Sequence, residues 1–96
     1  MKCDDLFEAI INLKDDRGNY NLFDLAQCFL RGYNIEKLRW LLKSDDISNI
    51  LNGIYISIEV ASLKGEFSSE LMELVDHPDQ EVRTQAEDAV KRLGLS

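Results

Sequence analysis

Residues 53–60 read GIYISIEV. Ile, Tyr and Val favour sheets, and taken alone the stretch is a strand. Its surroundings decide otherwise. Ile47, Ile50, Leu51, Ile54, Ile58 and Ala61 recur at helical spacing and form one apolar stripe. Ile56, Val60 and Leu63 form a second, roughly 180° away on a helix that turns 3.6 residues per cycle. No stretch of the chain alternates strictly between apolar and polar residues, as a half-buried strand does. The segment is therefore read as a helix, apolar on two sides because neighbours pack on both. Gly53 and Ser57 let a third helix approach closely. With this stretch helical, the fold class is all-α.

The same period marks the rest of the chain. Leu6, Phe7, Ile10, Ile11 and Leu13 place a first helix over about residues 3–14, stopped by DDRGN, where Gly18 and Asn19 are turn residues. Asn21 is suited to cap a second helix, with Asp24 at its third position. Leu22, Leu25, Ala26, Phe29 and Leu30 line one side of it, and Gly32 closes it. Asn34 caps a third helix through Lys43. Asp45 or Asp46 caps a long fourth one to Lys64, closed by Gly65. Ser68 caps a fifth, with Phe67 and Met72 placed as a hydrophobic staple. Pro78 follows it, and Asp79 caps a sixth helix that ends at Gly94.

A period now emerges. Gly32, Gly65 and Gly94 each close a helix, and the turns LKDD (13–16), LKSDD (42–46) and LVDHPD (74–79) each join a short helix to a longer one. Paired helices repeating about every 30 residues signal stacked hairpins, each burying its apolar face on the next. Residues 1–96 are expected to form one such helical-repeat domain of about six helices in three hairpins.

Charge narrows the function. The chain carries a formal net charge of −7. That disfavours direct nucleic-acid binding, which needs Lys and Arg against phosphates, and favours a basic partner. The charge is uneven: residues 31–43 hold four basic residues against one acid. Arg31, Lys37, Arg39 and Lys43, with Tyr33 and Trp40 nearby, form the best basic site for a second contact or a nucleic-acid module. No apolar run is long enough to span a membrane, and the acidic start MKCDDLFEAI lacks the pattern of a signal peptide. The expected location is cytoplasmic, with Cys3 and Cys28 as reduced thiols.

Catalytic signatures are missing. His77, the single histidine, has no Cys or Ser partner in sequence, and no glycine-rich phosphate loop occurs. The pairs Asp15–Asp16 and Asp45–Asp46 precede helices, where Asp serves as a cap. The reading is a non-enzyme with no catalytic, cofactor or metal site.

The stretch LVDHPDQEVRTQAEDAVKRLG (74–94) resembles a HEAT repeat, at Pro78, Asp79, Val82, Arg83, Ala86, Ala89, Leu93 and Gly94. The match is good over 68–94, fair over 35–65 and poor over 1–33. The resemblance implies a short right-handed α-solenoid of the HEAT or armadillo kind, with Arg83 as a structural partner for a loop Asp of the preceding repeat. His77 then lies exposed in a loop. A second resemblance covers about a third of the chain. GIYISIEVASLKGEFSSELMELVDHPDQEVR is similar to small helical-repeat immunity proteins of bacterial toxin systems, including contact-dependent inhibition. It is carried by Gly53, Ile54, Tyr55, Glu59, His77, Pro78, Val82 and Arg83.

In stacked hairpins the second helix of each pair lines the inner surface. The expected partner-binding residues are Phe23 and Gln27 on the second helix, Ser48, Asn52, Tyr55 and Glu59 on the fourth, and Glu87 on the sixth; Arg83 shares that side of the sixth. Aromatic residues beside acids suit a basic protein. The expected function is an immunity or inhibitor protein that occludes a basic toxin domain, often a nuclease. The alternative is a HEAT-like scaffold or adaptor for another cellular protein. Stacks of this kind have open ends that are either capped or paired with another chain, so the oligomeric state stays open.

Overall fold

The computed structural model describes residues 3–13 and 19–95, and these are helical without a strand among them. In order they form α1 (Cys3–Leu13), α2 (Asn19–Leu30), α3 (Glu36–Leu42), α4 (Ile47–Glu59), a 3-10 helix (Ala61–Glu66), α5 (Ser68–Leu74) and α6 (Gln80–Leu93). Residues 14–18, with Asp15, Asp16 and Gly18 of the DDRGN turn, lie outside the described residues, while Asn19, expected in that turn, is the first residue of α2.

Helices adjacent in sequence pack as pairs: α1 on α2, α3 on α4, α5 on α6. The longer member of each pair also packs on the next, α2 on α4 and α4 on α6, while α3 touches α5. α4 is the hub, and its composition explains why. Ile50 and Ile54 of one stripe and Ile56 and Val60 of the other are all buried. Between them lies Gly53, where a Cβ would meet Leu42 Cδ2 at 3.0 Å and Leu41 Cβ at 3.1 Å. Small size there sets how closely α3 and α4 approach. Ser57 is fully buried and turns its hydroxyl back to donate to Gly53 O at 2.8 Å, which satisfies that buried donor.

The turns are built from side-chain oxygens and left-handed glycines. Asp46 accepts from Asn49 N at 3.3 Å, and Asp79 accepts from Val82 N at 3.0 Å, capping α4 and α6 as the sequence leads one to expect. Gly32 (φ 106°) and Gly94 (φ 68°) take positive φ, and the following amides close six-residue loops, Tyr33 N to Cys28 O and Leu95 N to Val90 O, both at 3.0 Å.

Elsewhere the boundaries depart from expectation. α2 opens at Asn19, two residues before the proposed cap at Asn21. Asn34 does accept a backbone bond, from Glu36 N at 3.0 Å, but Ile35 is the N-cap of α3. α4 stops at Glu59 rather than running to Lys64, and the chain continues as the 3-10 helix. Val60 and Phe67 at the two ends of that segment are fully buried, and sinking both into the core fixes the bend. Gly65 keeps ordinary φ and open space around it, so it closes no helix. The staple is absent too: Phe67 is core while Met72 is exposed, and Phe67, not Ser68, precedes α5 without a side-chain cap. Lys64 reaches from the 3-10 segment to Leu93 O at 2.9 Å, placing a cation at the carbonyl end of α6.

Cys3 and Cys28, expected as free thiols, are joined in a disulfide with Cα atoms 6.0 Å apart. The packing of α1 on α2 brings positions 25 residues apart in sequence to bonding distance. Tyr33 adds a second link, donating to Asp4 Oδ1 at 2.6 Å. Burial first, then the hydrogen bond and charge of Asp4 and the charge of Glu8, hold the Tyr33 phenol well above its ordinary pKa of 10.0.

Candidate functional site

On α4, Ser48, Asn52, Tyr55 and Glu59 follow one another by four, three and four residues, which gathers them within roughly 60° of arc on a helix. The core occupies the opposite side of the helix, with Asn49, Ile50, Gly53, Ile54, Ile56 and Ser57. Tyr55 is 37% exposed and Glu59 is exposed, while Ser48 and Asn52 are half-buried. Along the flank, Leu51 and Ile58 are also half-buried.

On α2, the helix beside α4, Phe23 stands 47% exposed and Gln27 half-buried on the same side. The core of α2 is Leu22, Leu25, Ala26, Cys28 and Phe29, so Phe23 is not one of its members. Leu30, which the sequence reading set on the apolar side, is exposed. It falls seven residues after Phe23, two helical turns on, and joins the outward row. That spacing was the signal that could have found it. Phe23 and Leu30 on α2 and Tyr55 on α4 are thus exposed apolar or aromatic residues of two adjacent helices, with the acid Glu59 one turn from Tyr55.

Glu87 is exposed but stands apart. It lines a cleft with Met72, Val75, Val90 and Lys91, at the side of α6 that meets α5. Six of the seven expected residues therefore lie on two neighbouring helices, and the seventh belongs to another edge.

Arg83 and His77 are accounted for by the turn. Arg83 Nη1 donates to His77 O at 3.0 Å and Pro78 O at 2.9 Å, so it ties down the carbonyls of its own loop and not an Asp of the preceding hairpin. His77 is half-buried rather than exposed, and its Nδ1 accepts from Asp79 N at 3.0 Å. The pair Asp45–Asp46 sits in the loop before α4, with Asp46 committed to the cap.

The basic segment is partly spent inside the fold. Arg39 binds Glu66 O at 2.8 Å, pairs with the Glu36 carboxylate, and lies 3.4 Å from Glu66 Oε1 and 3.6 Å from Glu70 Oε1. Lys37 sits over the Phe7 ring, Nζ to centroid 5.1 Å. Trp40, whose burial the sequence left open, is 50% exposed. Among the described residues no cluster of three or more His, Cys, Asp or Glu has the geometry to hold a metal, and no helix is long and apolar enough to cross a membrane. Comparison with protein-family models, curated proteins and solved structures finds no match to this chain.

Proposed function

We propose that the protein is an immunity-type inhibitor, which neutralises a basic toxin domain by laying the outward side of α2 and α4 over it. The observation that carries the reading is the row on those helices. Phe23, Leu30 and Tyr55 supply exposed apolar and aromatic area, and Glu59 supplies charge on a chain of net −7. Aromatic anchors with a charged rim suit a tight protein contact, and opposite net charge speeds its formation. In this reading the three helix pairs form a short right-handed solenoid of the HEAT or armadillo kind. The order of packing, α2 on α4 on α6, is what such a stack needs. The toxin domain, often a nuclease, would be held off its substrate by occlusion, with no chemistry from the inhibitor.

The role requires the cytoplasm of the protected cell, where thiol reductants open disulfides. α1 must then hold through Leu6, Phe7 and Ile10, all buried, without the Cys3–Cys28 bond. The test is co-expression with the toxin gene immediately upstream. Expected are rescue of the cells and recovery of a nanomolar complex from their lysate. An upstream gene of metabolic or regulatory kind, with a stable complex to its product instead, would assign the protein to the adaptor class.

A further inference from the structure

On the other layer of the molecule, α3 carries a stripe that the proposed binding face does not use. Glu36, Trp40 and Lys43, the last being the C-cap of α3, are all exposed and follow at spacings of four and three residues, so they stand in one line along the helix and its cap. Trp40 is the one tryptophan of the chain and, among the described residues, the most exposed large apolar one. Its ring meets the buried Phe7 ring in a T-shaped contact, centroids 5.8 Å apart, and clefts open beside it. The stripe reads acid, aromatic, base, with the aromatic within about one ångström of the midpoint at a rise of 1.5 Å per residue.

Such a line is its own complement when turned end for end. Two antiparallel α3 helices related by a twofold axis at Trp40 bring Glu36 of each against Lys43 of the other, with the two indoles between. An acidic partner would meet Glu36 and the nearby exposed Asp45, and nucleic acid would meet the same charges. A second copy sets Glu36 against Lys43 twice, once at each end of the stripe. Glu36 can turn outward, because its partner Arg39 keeps the Glu66 and Glu70 carboxylates. We infer that the protein self-associates into a twofold dimer through the Glu36–Trp40–Lys43 stripe of α3. A self-matching patch closes on itself and does not propagate. The patch is short, so the dimer is weak, with a dissociation constant on the order of 100 μM. It lies on α3 and leaves Phe23 and Tyr55 free.

The test is sedimentation equilibrium of the full chain, with tryptophan emission followed over the same concentrations. Expected are a monomer–dimer equilibrium and a shift of the emission to shorter wavelength as the dimer forms. Trp40→Ala abolishes the dimer. Glu36→Lys or Lys43→Glu alone weakens it at least about tenfold, and the two together restore it to within roughly threefold, since the pairs are only exchanged. Circular dichroism verifies that each variant is folded, and Lys43→Glu serves by itself should Glu36→Lys disturb the Arg39 pairs. A chain that stays monomeric to roughly ten times that dissociation constant overturns the inference. So does a dimer that Trp40→Ala leaves intact, or a folded double exchange that fails to restore association.

Discussion

Gly53 shows how far one residue sets the geometry. With Leu41 and Leu42 at 3.0–3.1 Å from the position a Cβ would take, a branched side chain has nowhere to go. Gly53→Val should destabilise the fold by about 1–3 kcal/mol by forcing α3 off α4, read from chemical denaturation. Small residues between two apolar stripes already made that contact legible in the sequence. Tyr33 was not legible in the same way, because its partner Asp4 lies 29 residues away. Its raised pKa has a definite sign. Above pH 10.0 an unfolded chain releases the phenolic proton while the folded one keeps it, so the contribution is complete below that value and is lost as the pH climbs beyond it. Tyr33→Phe should show a shallower loss of stability on the alkaline side, measured by denaturant midpoints across the pH series. Arg83 carries a further lesson. A conspicuous Arg near a turn full of acids invites an ion pair, yet the carbonyls of His77 and Pro78 are nearer and fix it.

At the level of elements, local chemistry predicts a boundary where one side chain or one left-handed glycine makes it, and misses a boundary that the core makes. Asp46 and Asp79 begin α4 and α6 because a carboxylate one residue ahead of the helix answers a free amide, whatever the rest of the fold does. Asp79→Ala should therefore cost about 1 kcal/mol and lower the melting temperature by a few degrees. The end of α4 depends on burying Val60 and Phe67 at once, a demand from the core that Gly65 and Ser68 do not express. The link between α1 and α2 is likewise tertiary: nothing near Cys3 names Cys28 as its partner. Reducing the disulfide, which closes a loop of 25 residues, should cost roughly 3 kcal/mol on the chain-entropy estimate. Thermal melts with and without a thiol reductant measure it. A reduced chain that still melts cooperatively would show that the α1 side chains are sufficient to hold the helix.

Across the whole molecule, the two layers differ in what they offer. The longer helices α2 and α4 present aromatic and acidic residues, while α3 presents a mixed-charge stripe around Trp40 in a segment that sequence reading took as simply basic. Arg39 accounts for part of the difference: its pairs with Glu36, Glu66 and Glu70 neutralise one cation of that segment within the fold. The face on α2 and α4 was legible because apolar stripes on a helix leave a definite remainder. Glu87 was not, since its placement depends on how α6 sits against α5. The account stands on that face being the working surface, and affinity measures it most directly. Titration calorimetry of the protein against the proposed toxin partner should give a nanomolar complex. Tyr55→Ala with Glu59→Lys should weaken it at least about 100-fold, the loss expected of an anchor and an opposed charge together. An unaltered affinity in that double variant, with its fold intact, would contradict the account.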